Sequence, residues 1–268
     1  MFNLKNKVVV VTGAGGFLGR NFCETLISFG ADVVAIDINK KSLNNLKKLI
    51  ENSKLDKNKL YLLKCNILNE NEIIKTIKKI IKKFNKIDVL INNATFRAKK
   101  LKNFYKSFED FNLKDWTQIS KVNNDGTFLI TKHISKEMIK NKSGSIIQIG
   151  SIYSHVAPNF EIYKNSFFKG KKISSPAVYS VNKFGLYGLT KYLSSYLGKY
   201  NIRVNCISPG GINQNHSLKF KKNYSSNVPL NRMGEINDLK GTIILLSSSE
   251  SSFITGQNIL IDGGLSCW

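Results

Sequence analysis

The sequence predicts an α/β domain in which about seven strands form one doubly wound, parallel sheet with helices on both faces. Apolar, strand-like runs alternate with helical segments at close intervals, which indicates repeated strand–helix units. The first run, residues 8–11, consists entirely of Val, as is typical of a strand that is buried on both sides. No linker or internal repeat interrupts the 268 residues, a length that a single domain of this class can fill around a large core.

A glycine-rich turn follows this first strand. Thr12 ends the strand, and three glycines follow at three-residue spacing, the last of them inside a segment of helical periodicity, residues 17–29, that stops at Gly30. Glycines let a backbone approach phosphate groups closely, and a helix N-terminus offers free N–H groups. We therefore expect a Rossmann-type dinucleotide site here; the alternative is an ordinary strand–helix turn with spare glycines. The residues expected to contact the cofactor are Gly13, Gly16, Phe17, Leu18 and Gly19.

The second predicted strand, ADVVAID, ends in an acidic residue, Asp37. A carboxylate at this point can accept hydrogen bonds from the adenosine ribose and would repel a 2′-phosphate. The sequence therefore favours NAD over NADP. Lys40 and Lys41 lie nearby and either could meet a phosphate, but we favour solvated lysines at the start of a helix as their explanation.

A later helical segment, AVYSVNKFGLYGLTKYL, carries Tyr179 and Lys183 four residues apart. That spacing places both side chains on one helical face. A free phenol has a pKa of about 10, and an ammonium group one turn away favours its ionised form. The pair can therefore act as a general acid and base. A solvated Tyr–Lys pair on a helix surface is the alternative.

With these residues in place, the sequence resembles the short-chain dehydrogenase/reductase family, in its single-domain form, from residue 7 to residue 264. INNAT is similar to the family's Asn-Asn-Ala-Gly element after the fourth strand, with Thr95 in place of the usual Gly. KVNNDGTF supplies Asn123 at the position of the family's helix asparagine, and SGSIIQIGS ends at Ser151, the position of the catalytic serine. NIRVNCISPGGI resembles the sixth strand with its Pro-Gly turn, and ITGQNILIDGG resembles the closing strand.

The resemblance implies one catalytic domain over residues 1–268 that transfers a hydride between a nicotinamide and a carbinol or carbonyl carbon. Tyr179 would exchange the proton with the substrate oxygen, and Ser151 would hydrogen-bond that oxygen. Lys183 would favour the phenolate and hold the nicotinamide ribose, while Asn123 would position a water next to Lys183. Homodimers or homotetramers are implied as well. The further cofactor-binding residues implied are Asn66, Ile67, Asn93, Ala94, Tyr179, Lys183, Pro209, Gly210 and Ile212.

The sequence departs from the family pattern at three places: the Gly-rich turn, the adenine contact and the segment between Ser151 and Tyr179. The spacing of TGAGGFLG is commoner in the longer branch of the family, which includes sugar-nucleotide epimerases and dehydratases, and Phe17 stands where a second Gly is usual. Asn66 replaces the Asp that usually meets the adenine ring. Ser151 and Tyr179 are further apart than in typical members, so the additional residues must form a loop beside the active site.

We expect this inserted loop, residues 155–175, to determine the substrate. SIYSHVAPNFEIYKN followed by CISPGGI resembles oxidoreductases of bacterial surface-sugar pathways, of the flagellin-modification protein A type linked to nonulosonic (legionaminic) acid synthesis. This resemblance implies a sugar or sugar-acid substrate. His155, Glu161 and Tyr163 could bind its hydroxyl groups together with Ser151, and His155 could also bind an anionic group.

Other residues of the loop support the same interpretation. We expect Phe160, Phe167 and Phe168 to anchor the loop as a lid, and its lysines to attract a negatively charged ligand. The alternative is a packing element at a subunit contact. The lysines concerned are Lys164, Lys169, Lys171 and Lys172.

Two other functions stay open at this level. The glycine spacing is compatible with an epimerase or dehydratase that retains its NAD, although the sequence contains no C-terminal substrate domain of that branch. A non-catalytic dinucleotide-binding protein is the second alternative. All four expected catalytic positions hold the appropriate residue type, which disfavours it.

The composition argues against other classes of partner. The four cysteines and three histidines lack metal-ligand spacing, and unpaired, partly buried thiols are typical of a reducing cytoplasm. No 18-residue apolar stretch or room for a signal peptide is present, so we expect a cytoplasmic protein without a membrane partner. The net charge is +23, but only four of the 41 basic residues are Arg, and the lysines concentrate on helix faces. We therefore expect no nucleic-acid partner.

Overall fold

A computed structural model describes residues 2–98, 100–168 and 170–267. Its main sheet has seven parallel strands, ordered β3-β2-β1-β4-β5-β8-β9. The strands are β1 (Val8–Thr12), β2 (Asp32–Asp37), β3 (Leu60–Lys64), β4 (Val89–Asn92), β5 (Gly144–Ile149), β8 (Ile202–Pro209) and β9 (Asn258–Ile261). A short antiparallel hairpin, β6 (Phe167–Phe168) and β7 (Lys171–Lys172), lies in the inserted loop. The predicted seven-stranded sheet is confirmed. The hairpin strands take the labels β6 and β7, so the sixth strand of the main sheet is β8.

Helices connect the strands. They are α1 (Phe17–Ser28), α2 (Lys40–Glu51), α3 (Glu70–Phe84), α4 (Leu101–Phe104), α5 (Leu113–Ser120), α6 (Thr127–Asn141), α7 (Ala177–Gly198), α8 (Leu218–Ser225) and α9 (Lys240–Ser247). A π-helical segment, Lys121–Gly126, joins α5 to α6. Short 3-10 turns lie at Lys57–Lys59, Ile152–Ser154, Phe160–Tyr163, Ile236–Leu239 and Ser249–Ser251.

The two faces of the sheet form separate apolar cores because side chains alternate along each strand. Val9 and Val11 of β1 pack with buried residues of α1, α2 and α9. Val8 and Val10 point to the other face and pack with buried residues of α3 and α6. A strand that must be apolar on both faces explains the unbroken run of Val, and the doubly wound class follows from it.

A third, smaller core lies above the carboxyl ends of the strands. It joins the inserted loop to α8 and the residues around it. Its members are Ile162, Phe168, Ile173, Phe220, Tyr224, Val228 and Met233. The insert is therefore attached to the domain by its own apolar contacts, in addition to its two chain ends.

The strand order reverses direction between β1 and β4, which are direct neighbours although three helices and two strands separate them in sequence. Ligands of open α/β sheets bind in the crevice at such a point, beyond the carboxyl ends of the strands. The Gly-rich turn, INNAT and SGSIIQIGS all end at this edge.

Three local predictions differ from the structure. Helix α1 ends one residue earlier than expected, at Ser28, and Gly30 adopts a φ of +91° that closes the turn. Strand β5 ends at Ile149, so Ser151 lies in the following turn and caps a 3-10 helix. Asn123 belongs to the π-helical segment, a local widening that often accompanies functional sites.

Candidate active site

The Gly-rich turn is a surface made of backbone. Gly13 has a φ of +62°, and a Cβ at Gly19 would lie 2.3 Å from the Gly13 carbonyl oxygen. Side chains are thus excluded at Gly13 and Gly19, and Gly16 is the N-cap residue of the helix. The free N–H groups of the first turn of α1 and the bare backbone fit the pyrophosphate of a dinucleotide.

The end of β4 holds this turn in place. The Asn93 side chain donates to the carbonyl oxygens of Thr12 and Gly13, both at 3.0 Å. The Thr12 hydroxyl oxygen accepts from the backbone N–H groups of Asn93 and Ala94, both at 3.1 Å. The structure thus brings Asn93 and Ala94 to the expected cofactor side, where the Asn93 amide braces the turn.

Asp37 stands at the carboxyl end of β2, next to the Gly-rich turn. One carboxylate oxygen accepts from the backbone of Gly15 at 3.0 Å, and the other accepts from Asn39 at 2.9 Å. The side chain is partly exposed, so its remaining lone pairs can accept from ribose hydroxyls.

Asn66 and Ile67 follow β3, on the same edge of the sheet. The Asn66 amide oxygen accepts from the backbone of Leu68 at 3.0 Å, so the side chain caps its own turn. Ile67 is buried, and a Cβ at Gly126 would lie 2.8 Å from its Cδ1 atom. Ile67 therefore packs under the π-helical segment.

Tyr179 and Lys183 lie on one face of α7, as their spacing predicts. Lys183 is 7% exposed, and its ammonium donates to the Ile149 carbonyl at 2.6 Å. Its Nζ atom lies 5.8 Å from the centre of the Tyr179 ring. The bond to β5 fixes the ammonium beside the phenol, which is the arrangement that a Tyr–Lys acid–base pair needs.

Ser151 is held in place by a buried network of hydroxyl and amide groups. Its hydroxyl accepts from the Tyr153 backbone at 3.3 Å, and its carbonyl accepts from the Ser154 hydroxyl at 2.6 Å. Ser154 also bonds to Ser208 of β8 at 2.5 Å, and Ser208 donates to Asn258 of β9 at 2.6 Å. Sequence reasoning missed this network because its members come from three distant segments that only the fold brings together.

Asn123 lies behind the site and is 4% exposed. Its amide oxygen accepts from the Phe96 backbone at 2.8 Å and from the Thr95 hydroxyl at 3.3 Å, and its amide nitrogen donates to the Phe96 carbonyl at 3.1 Å. The side chain therefore fixes the segment after β4. A water held between Asn123 and Lys183 stays a prediction.

A cavity of about 220 Å³ opens next to Ser151 and Tyr179. Leu18, Pro209, Gly210 and Ile212, which were expected to meet the cofactor, line one side of it. The insert and α8 line the other side, with mostly aromatic and apolar side chains: Tyr163, Phe168, Ile173, Phe220 and Tyr224. Burial raises the pKa of Tyr224 to about 12, so this phenol stays neutral.

The structure brings only one of the three expected substrate residues of the insert to this cavity. The Tyr163 hydroxyl bonds to the Tyr153 hydroxyl at 2.7 Å, and burial raises the pKa of Tyr163 well above its usual value. His155 and Glu161 are exposed and lie outside the cavity lining, and Glu161 pairs with Lys164 at 3.4 Å. The 3-10 geometry of the loop, which the sequence does not reveal, turns them to solvent.

The expected anchors and lysines of the insert need a similar correction. Phe168 is buried, but Phe160 and Phe167 are 61% and 47% exposed, so one phenylalanine of the three anchors the loop. Lys164, Lys171 and Lys172 are exposed and do not line the cavity. Lys169 lies outside the described residues.

Two cavity residues that sequence reasoning missed are Arg97 and His216. The His216 ring lies between the rings of Phe168 and Phe220, with centroid distances of 5.0 and 4.8 Å. Burial, followed by the charges of Arg97 and Lys221, lowers the pKa of His216 to about 4, so the imidazole is neutral at pH 7. Neither residue lies in a motif; the position of Arg97 two residues after INNAT was the one available signal.

No group of three His, Cys, Asp or Glu side chains that could hold a metal ion occurs within residues 2–98, 100–168 and 170–267. In the same part of the chain, no helix is both long enough and apolar enough to cross a bilayer.

Comparisons with known proteins agree with this arrangement. Residues 7–225 match the family described as short chain dehydrogenase. The chain is 32% identical to the 3-oxoacyl-acyl-carrier-protein reductase FabG of Buchnera aphidicola, over 97% of both chains. It is 30% identical to the post-translational flagellin modification protein A of Campylobacter coli, over 97% of this chain and 98% of that protein. A crystal structure of a short chain dehydrogenase from Leptospira borgpetersenii with bound NAD+ is 33% identical, has a TM-score of 0.83, and is matched over 98% of this chain and 94% of that one.

Proposed function

This chain belongs to the short-chain dehydrogenase/reductase family, and from that premise we propose that it transfers a hydride between NAD and a carbinol or carbonyl carbon of a small sugar or sugar-acid derivative. The family membership makes it an oxidoreductase that uses a nicotinamide cofactor. The preference for NAD, the residue roles and the class of substrate are the parts that we propose.

The fixed Tyr–Lys pair supplies the proton chemistry. In the direction of oxidation, the Tyr179 phenolate takes the proton of the substrate hydroxyl as the carbon gives up its hydride, and in reduction the phenol returns that proton. Lys183 stabilises the phenolate and has two N–H groups beyond the one that bonds to Ile149, with which it can hold a ribose. The Ser151 hydroxyl stabilises charge on the substrate oxygen. Bound nicotinamide supplies the hydride acceptor or donor.

Asp37 supports the choice of NAD. Its carboxylate is fixed beside the Gly-rich turn, where it favours ribose hydroxyls and opposes a 2′-phosphate. Lys40 and Lys41 are exposed on the first turn of α2, in keeping with solvated side chains. The solved relative with bound NAD+ is consistent with the same preference.

The size of the cavity carries the proposal of a small substrate. The cavity volume of about 220 Å³ lies below the usual range of 300–1,000 Å³ for ligand pockets. This volume includes the side of the cavity that we assign to the cofactor, so the space for the substrate is smaller still. The insert and α8 cover it as a lid with a core of their own. The similarity to the post-translational flagellin modification protein A of Campylobacter coli accords with the resemblance that implies a sugar or sugar-acid substrate. The reductase FabG of Buchnera motivates a second candidate, a 3-oxoacyl thioester, for which the apolar lining is suitable.

A cofactor-coupled screen distinguishes these functions. Purified protein is given NAD with polyols, aldonates, nucleotide sugars and nonulosonates, or NADH with 3-oxoacyl thioesters, and absorbance at the NADH band is followed. We expect net NADH with at least one sugar or sugar acid. Turnover of thioesters alone would favour the second candidate. If NADH is neither formed nor consumed in any reaction but mass spectrometry detects a product, the protein is an epimerase or dehydratase that retains its NAD. If no product is detected, it is a binding protein.

We also propose that the chain assembles as a homodimer or homotetramer. Helices α6 and α7 carry large apolar side chains that are exposed in the single chain: Phe128, Val181, Phe184, Tyr192 and Tyr196. A monomer rarely leaves so much apolar surface to water. Light scattering coupled to size exclusion measures the mass; a mass of one chain at micromolar concentration would contradict the proposal.

A further inference from the structure

The cavity contains an arginine with unused donors. Three of the four arginines are engaged elsewhere: Arg232 pairs with Asp238 through two hydrogen bonds, Arg203 donates to two carbonyls at the end of α9, and Arg20 lies over an aromatic ring. Arg97 lines the cavity and is exposed to solvent, and among the described residues its guanidinium has neither a carboxylate nor a hydrogen-bond partner. A planar group with five N–H donors is thus available at the cavity mouth.

The cavity does not neutralise this charge. Among the described residues, its lining contains no Asp and no Glu, and the lining side chains other than Arg97 are aromatic, apolar or neutral polar. The catalytic Lys183 adds a second positive charge behind Tyr179. Arg97 is exposed to solvent where it lines the cavity, so an entering ligand meets its positive charge first and finds no described carboxylate that opposes it.

His216 supplies a neutral donor on the same side. Its Nδ1 atom accepts from the Gln214 backbone at 3.2 Å, which assigns the ring proton to Nε2. The rings of Phe168 and Phe220 fix the imidazole, and the charge of Arg97 acts on it. Arg97 and His216 line the same cavity, so a positive guanidinium and a fixed N–H group together offer a pair of donors suited to an oxyanion.

We propose that Arg97 and His216 form an anion subsite of the active-site cavity, and that the substrate is a hydroxy or oxo acid whose carboxylate binds there while its carbinol or carbonyl carbon faces Tyr179. This inference rests on the proposed function and narrows it from sugars in general to sugar acids and other small acids. A carboxylate fits better than the larger phosphate group because the cavity is small. The exposed lysines of the insert are not part of the subsite.

Matched pairs of ligands test the subsite. Gluconate is compared with glucitol, arabinonate with arabinitol, and 3-hydroxybutyrate with 2-butanol, and glucose 6-phosphate tests the phosphate alternative. Wild type, Arg97→Met, Arg97→Lys and the surface control Lys171→Met are assayed with saturating NAD. We expect Arg97→Met to raise KM for the acids about tenfold or more, with a smaller change in kcat and none for the neutral partners. Arg97→Lys should restore part of the effect, and Lys171→Met should resemble wild type.

Binding is measured separately so that the subsite and the reaction can fail independently. Quenching of protein fluorescence gives the dissociation constants of the same pairs on the NAD complex, whether or not they are oxidised. An acid preference that disappears in Arg97→Met, at unchanged NAD affinity, upholds the subsite even if no hydride is transferred. Equal binding of acids and neutral partners by wild type, an unchanged ratio in Arg97→Met, or tighter binding of the phosphate ester than of every carboxylate overturns the inference.

Discussion

At the residue scale, the site depends on one buried lysine that is held by a carbonyl. Burying an ammonium group is costly unless its N–H groups find partners. The Ile149 carbonyl provides one such partner at 2.6 Å and so ties the ammonium to the end of β5, next to Ser151. The sheet thus positions the serine and the lysine together, and α7 adds the tyrosine.

Replacing the phenol tests this arrangement. Tyr179→Phe removes the transferable proton, so kcat should fall by about 10²–10⁴-fold while NAD affinity is kept. Lys183→Met should lose both turnover and NAD affinity, because we assign the lysine two roles. Steady-state kinetics and NAD titration of the purified variants measure both effects. Turnover by Tyr179→Phe at the wild-type rate would remove the tyrosine from the mechanism.

Asp37 allows a second residue-scale prediction. Wild type should bind NAD at least about tenfold more tightly than NADP, since a carboxylate repels the 2′-phosphate. Asp37→Ser should narrow this ratio, whereas Lys40→Met, which removes an exposed charge nearby, should leave NAD affinity unchanged. Calorimetric titration with both cofactors gives the ratio. If wild type binds NADP as tightly as NAD, Lys40 or Lys41 outweighs the carboxylate.

At the element scale, the insert is linked to the turn after Ser151 by the bond between the Tyr163 and Tyr153 hydroxyls. Tyr163→Phe removes the bond to Tyr153 and the hydroxyl that Tyr163 can offer to a substrate in the cavity, so kcat/KM should fall about tenfold if that hydroxyl binds substrate. Glu161→Gln is the matched control: Glu161 is exposed and pairs with Lys164, so kinetics should not change. Equal kinetics in both variants, or a changed oligomeric mass in Tyr163→Phe, would favour a packing role for the insert.

The segment before α8 gives a prediction about pH. His216 keeps its neutral form down to about pH 4 in the folded chain, while an unfolded histidine takes up a proton near pH 6.5. The unfolded chain therefore binds more protons between these values, and stability should decrease as the pH falls through this window. Because the ring is partly solvated, the loss should be about 1 kcal/mol or somewhat more.

Urea unfolding of wild type and His216→Asn, at several pH values from 7 to 4, measures this loss. The carboxylates that titrate at lower pH contribute equally to both proteins and cancel in the difference. The difference in unfolding free energy should shrink as the pH falls. A constant difference would show that His216 is equally protonated in the two states.

The elements differ in how far the sequence alone predicts them. Strands and glycine turns were predictable because their signals are local: a run of Val needs cover on two faces, and Gly19 has no room for a Cβ. The Tyr179–Lys183 face follows from helical spacing alone. His155 and Glu161 lie outside the cavity lining, which the sequence could not show because loop direction depends on which side chain enters the third core. Arg97, His216 and the Ser154–Ser208 bond come from distant segments, and only the fold brings them together.

At the scale of the whole molecule, the net charge is +23, and lysine supplies nearly all of the 41 basic residues. Self-repulsion of so large a net charge destabilises the compact state, and salt screens it. Raising NaCl from about 20 to about 300 mM should therefore raise Tm by a few degrees, a shift of about 1 kcal/mol in a protein of this size. Scanning calorimetry of the apoprotein measures it. A Tm that falls with salt would indicate that attractive ion pairs dominate.

The third core also bears on how this enzyme can change over evolutionary time. The insert and α8 supply part of the cavity wall, and their buried side chains share one small apolar core. The glycine turn, Lys183 and the bond to Ile149 belong to the sheet and its flanking helices. Mutations can therefore remodel the wall while the hydride chemistry is inherited unaltered, so lineages with this architecture can acquire new substrates without passing through inactive ancestors.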